Sequence, residues 1–135
     1  MFDTKIAIIV RDDLATWQKL NVTAFLMSGI TAANMDLIGE KYMDKDGNHH
    51  LPMSRQPVIV LSGAANVLRN ARNRANERGI DTVAYIEEMF ATGHDEANRA
   101  VFLEHMSNED NTVGIALRAD KKIVDKITKG AKIHS

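Results

Sequence analysis

Residues Lys5–Val10 read KIAIIV, and residues Pro57–Leu61 read PVIVL. Both runs are short, β-branched and apolar almost throughout. A strand with one wet face alternates apolar and polar residues. A run without that alternation reads as a strand covered on both faces. Two further runs share the character, Thr82–Ile86 (TVAYI) and Thr112–Leu117 (TVGIAL). Proline stands first in PVIVL, where its missing N–H is tolerated. A sheet buried on both faces needs helices on both faces.

The segments between the runs supply those helices. From Thr16 to Met35 the pattern is helical, with Trp17, Leu20, Ala24, Met27 and Thr31 on one stripe. Thr16 is the expected N-cap and Gly39 the expected exit. Ser62 is read as the cap of a second helix, which turns Ala64, Val67, Leu68, Ala71 and Ala75 inward and stops at Gly79. A third helix is expected from about Asp95 to Met106. Asp120 caps a fourth, which carries Ile123, Val124 and Ile127 and ends at Gly130. The polar stretch Lys41–Gln56 reads as a surface loop with a hairpin around Asp46–Gly47. The tail Ala131–Ser135 is expected to run along the sheet. Strands alternating with helices predict a mostly parallel sheet with helices on both faces.

Composition bounds the function. The 135 residues are 44% hydrophobic and 26% charged, an ordinary globular balance. One domain over residues 1–135 is expected. Lys plus Arg number 17 and Asp plus Glu 18, so a uniformly basic nucleic-acid binder is excluded. Charge is nonetheless uneven. Arg69–Arg78 holds four arginines against one glutamate, and Arg118–Lys132 holds six basic residues against two aspartates. Helices on those segments, Arg69–Arg78 and Lys121–Lys132, would hold tRNA or another RNA through phosphate contacts, or else present solvated faces. The absence of cysteine excludes disulfides, thiolate zinc sites and a Cys nucleophile. No apolar run approaches the roughly 20 residues of a membrane span, and no signal peptide is read, so the cytoplasm is the expected location.

Chemistry is expected beyond the carboxyl ends of the strands, where open α/β sheets bind ligands. Arg11-Asp12-Asp13 follows the first strand. The segment from Glu87-Glu88 through His94-Asp95 to Arg99 follows the third. His94 is a general base in reach of neutral pH, and a carboxylate would orient it. Against this stands a structural reading, in which Asp95 caps the third helix and pairs with Arg99 at i,i+4. No resident metal or cofactor is assigned. Glu88, His94 and Asp95 are the residue types of an oxygen/nitrogen site, and His49-His50 is a place for adventitious metal. Asp44-Lys45-Asp46-Gly47-Asn48 lacks calcium-loop spacing.

Three blocks carry a likeness: KIAIIVRDDL, PVIVLSGAANVLRNARNRANERGIDTVAYIEE and NTVGIALRADKKIVDKITKGAKIH. Together they resemble the class II (archaeal/eukaryotic-type) peptidyl-tRNA hydrolases, as an uncharacterised bacterial branch. Val10-Arg11-Asp12-Asp13-Leu14 and Val124-Asp125-Lys126-Ile127-Thr128 are the closest parallels. The resemblance implies a three-layer α/β/α sandwich with a four-stranded mixed sheet. For the family it also implies hydrolysis of the ester joining a peptide to tRNA. The family's first helix carries a Lys/Gln/His motif; here Asn21, Phe25 and Ser28 stand in those places. The family's Asp after the third strand has its counterpart in Glu87 or Glu88.

With that motif rewritten, one expectation is a hydrolase of a different ester or amide. Arg11, Asn21 and Arg99 would position the small-molecule substrate, Asp13 and Glu88 would orient or transfer protons, and His94 would act as the base. The alternative is a non-catalytic small-ligand-binding or regulatory module on the same fold. Apolar surface on the sheet or first helix would support a homodimer.

Overall fold

The computed structural model describes residues 2–135. In chain order the elements are β1 (Thr4–Arg11), α1 (Thr16–Ala33), a hairpin of β2 (Tyr42–Met43) and β3 (His49–His50), β4 (Val58–Gly63), α2 (Ala65–Glu77), β5 (Thr82–Ile86), α3 (Asp95–Leu103), β6 (Thr112–Asp120), α4 (Lys121–Ile127) and β7 (Lys132–Ile133). Short 3-10 turns follow α1 at Met35–Leu37 and β5 at Glu87–Ala91.

The main sheet has five strands in the order β5-β6-β1-β4-β7, not four. The fifth is the C-terminal tail, where Lys132 and Ile133 pair antiparallel with Ser62 and Leu61. The sheet is mixed, as expected, but it is not mostly parallel. Only β1 and β4 pair in parallel, while β6 runs antiparallel to both β1 and β5. The reason lies in α3. A crossover helix must bury a face on the sheet, yet no residue of α3 is buried. With no crossover between them, β5 and β6 pair as antiparallel neighbours.

Side-chain alternation along β1 builds two cores. Ile6, Ile8 and Val10 meet Val22, Leu26 and Ile30 of α1 on one face. Ala7 and Ile9 meet Leu68, Ala71 and Ala75 of α2 and Val124 and Ile127 of α4 on the other. Helices therefore cover both faces, in three layers.

The stripe expected to bury α1 is not the one that does. Trp17 and Leu20 are 61% and 68% exposed. The helix is apolar on nearly every side, so helical periodicity has no face to select. Close approach selects it instead. A side chain at Gly114 would collide with Val22 and Leu26, and one at Gly29 would collide with Val83. Only with glycine at both positions can α1 lie close on the sheet along Val22, Leu26 and Ile30.

Helix ends also differ from expectation. Ala15, not Thr16, is the N-cap of α1, and its N–H donates to Gln18 Oε1 at 3.0 Å. Ser62 stays within β4, and Ala64 is the N-cap of α2. The exit of α1 is Asn34, well before Gly39. The hairpin around Gly47 (φ +85°), the stops at Gly79 and Gly130, and the Asp120 cap are found as expected.

Candidate functional site

Because β6 is antiparallel to both β1 and β5, the strands β1, β4 and β5 all point the same way. Their carboxyl ends share one edge of the molecule, the place where such sheets hold ligands. Arg11 at the exit of β1 donates through Nε to Asp13 at 2.6 Å and through Nη1 to Glu87 at 3.3 Å. Partial burial opposes the guanidinium charge, but the hydrogen bond and charge of Asp13, with those of Glu87, outweigh it and raise the Arg11 pKa. The cluster ties the start of the turn after β5 to the exit of β1.

That turn and α1 enclose a hollow of about 340 Å³. Its α1 wall presents Trp17, Asn21 and Phe25, spaced at i, i+4 and i+8. Tyr85, near the end of β5, lies below it, and Met89, Phe90 and Thr92 follow from the turn. His94, Asp95 and Asn98 close the far side from α3. A register shift between Tyr85 and Ile86 lies beside the hollow. Such irregularities re-aim side chains next to sites.

Four of the chain's seven aromatics gather here in one chain of contacts. Trp17 meets Phe90 edge-on with centroids 6.0 Å apart, Phe90 meets Tyr85 at 5.3 Å, and Tyr85 meets Phe25 at 5.8 Å. Trp17 and Phe25 are still 61% and 52% exposed, so much of their ring surface is left for a ligand. Two amides, Asn21 and Asn98, stand among the rings. The Thr92 hydroxyl lies against the Asn98 side chain and the Met89 carbonyl oxygen.

The hollow thus holds three of the residues singled out in the sequence, Asn21, His94 and Asp95. Glu88 is elsewhere. Its Oε1 accepts from Asn111 Nδ2 at 2.8 Å and lies 3.8 Å from His105 Nε2. Asp13 is engaged with Arg11, outside the hollow. Arg99 pairs with Asp95 at 2.7 Å, as the i,i+4 spacing predicts, and lines a neighbouring hollow. His94, not Asp95, caps α3: its Nδ1 accepts the N–H of Ala97 at 3.2 Å. A neutral His94 in that role carries its proton on Nε2 and presents a donor.

Periodicity places Trp17 on the core stripe, which hides the aromatic wall. The signal was there: Trp17, Asn21 and Phe25 share a stripe of their own, beside the buried one.

The other candidates are accounted for by local contacts. His50 Nε2 lies 3.1 Å from Asp44 Oδ2 across the hairpin. Among the described residues, no group of three or more His, Asp or Glu side chains is placed to hold a metal ion. Arg69 pairs with Asp110 at 2.7 Å, and Arg74 donates to the carbonyls of Ile127 and Lys129. Arg72 is buried, stacks 5.0 Å from the Phe102 ring centroid and donates to Thr112; burial lowers its pKa. Among the described residues, no helix is long and apolar enough to cross a membrane.

No curated protein matches this chain. A solved structure of a protein of unknown function, Atu0240 from Agrobacterium tumefaciens strain C58, is similar over 100% of both chains, with 61% identity and a TM-score of 0.98. At that identity and TM-score the two chains share the fold. A family model described as "Protein of unknown function (DUF2000)" matches residues 4–135, and the chain belongs to that family.

Proposed function

We propose that this chain is a small-ligand-binding module on a peptidyl-tRNA hydrolase II-like fold, and that the hollow between α1 and α3 takes a planar, polar ligand. One observation carries the reading: Trp17, Phe25, Tyr85 and Phe90 surround a single hollow with two side-chain amides set among them. Aromatic faces stack on planar rings, and amides both donate and accept, so together they select flat ligands with hydrogen-bonding edges. The separation of Glu88 from His94 supports binding over catalysis, since a base without its orienting carboxylate lacks half of the expected pair.

Trp17 is the only tryptophan, so its fluorescence reports the hollow directly. Benzamide and related planar amides are the probes. Saturable quenching is expected, with a rise in unfolding temperature. Asn21→Ala should weaken binding at least tenfold without loss of stability, because Asn21 is exposed. No saturable change with any planar amide, or unchanged binding by Asn21→Ala, defeats the reading.

A second reading is hydrolysis of an ester or amide in the same hollow. The favouring observation is that His94 and Asn21 line it together. Turnover of peptidyl-tRNA or of simple aryl esters, abolished by His94→Ala, would establish it.

A further inference from the structure

We infer that the hollow continues into an apolar trough, and that its ligand is uncharged and elongated, with a planar amide-bearing head and an aliphatic tail. The inference rests on the binding reading above and names the ligand class.

A second hollow of about 540 Å³ adjoins the first and shares Phe25, Tyr85, Met89, Asp95 and Asn98 with it. The two are one trough, with α1 and α3 as its walls and β5 as its floor. Along α1 the wall from Trp17 to Phe25 runs about 12 Å, eight residues at the helical rise. Polarity divides the trough along its length. Asn21, Thr92 and His94 line only the first hollow, while Val83, Phe102 and Leu103 line only the second.

Charge sets the ligand's character. Besides His94 and Tyr85, the ionisable side chains of the lining are Asp95 and Arg99, and these neutralise each other at 2.7 Å. A ligand with a net charge would find no unpaired opposite charge to meet. The far wall gives the tail its place. No residue of α3 is buried, and Leu103 is 87% exposed although it lines the trough. The chain itself leaves that apolar face uncovered.

Benzamide, 4-butylbenzamide, 4-octylbenzamide and the charged 4-octylbenzoate form the test, titrated by calorimetry into the full chain. Affinity should rise about fourfold per methylene until the trough is filled, as burial of each group dictates. The benzoate should bind at least tenfold more weakly than the octyl amide. Leu103→Asp, at an exposed position that spares folding, should remove the gain from the tail. Benzamide binding without a gain from the tail overturns the trough alone. So does a gain that Leu103→Asp leaves intact, or equal affinity for the benzoate. Failure of every probe, benzamide included, overturns the binding reading with it.

Discussion

The two faces of the sheet are roofed unequally. On one face α2 and α4 lie side by side over Ala7, Ile9, Ile115 and Leu117. On the other, α1 alone covers the centre. A helix is about 10 Å across and strands lie about 4.8 Å apart, so one helix roofs about two strands. Hollows therefore flank α1 on both sides. The aromatic trough lies toward β5, and a hollow of about 550 Å³ lies toward β4, lined by Val10, Lys19, Leu20, Val60 and His134. The two-helix face is built for stability, and the one-helix face leaves room for a ligand.

The largest expected effects test whether the faces are equal as cores. Leu26 and Leu68 are both fully buried, one on each face. Alanine at either should cost about 2–5 kcal/mol in denaturant unfolding. Only Leu26→Ala should also weaken benzamide binding, because α1 is a wall of the trough and α2 is not. Equal binding loss in both variants would break the contrast.

Gly29→Val sharpens it next. The new side chain would press on Val83 and lift α1 from the sheet. Overpacking of this kind costs about 1–3 kcal/mol. Amide exchange in α1 should quicken while α2 and α4 stay protected.

Phe25→Ala should separate stability from binding. The residue is 52% exposed, so stability should fall by less than about 1 kcal/mol. Affinity for planar amides should fall at least tenfold, read by Trp17 quenching. A large stability loss with unchanged affinity would return Phe25 to the core.

The smallest effect concerns the far end of α3. His105 Nδ1 lies 3.1 Å from Glu109 Oε1, and the hydrogen bond raises the His105 pKa above the ordinary 6.5, against desolvation and helped by the charge of Glu88. The same bond, with the N–H of Met106, holds Glu109 below its ordinary range. A histidine that holds its proton more tightly when folded gives its full stabilisation below pH 6.5, and loses it as pH rises through the raised value. Glu109 acts in the opposite sense: its stabilisation is present above pH 4.5 and is lost as pH falls through the depressed value. His105→Gln should flatten the decline in unfolding temperature above pH 6.5. An unchanged decline would place its cause elsewhere.

Much of this was legible in the residues. KIAIIV, PVIVL, TVAYI and TVGIAL are strands, Gly47 and Gly79 turn where expected, and Asp95 pairs with Arg99. The errors share a cause. Glu88 follows a strand in the sequence, but its neighbours in space are Asn111 and His105, which no local pattern joins to it.

Which segments are strands and helices follows from local residues, because backbone propensity and side-chain periodicity act within a few positions. That both sheet faces are covered follows as well, because β1 has no polar alternation. The strand order, the buried stripe of α1 and the trough arise from packing across the whole fold. An antiparallel return needs no crossover, two glycines admit the helix, and a single roof leaves rings exposed. These are contacts between distant residues, and packing chooses among faces that the residues leave equally apolar.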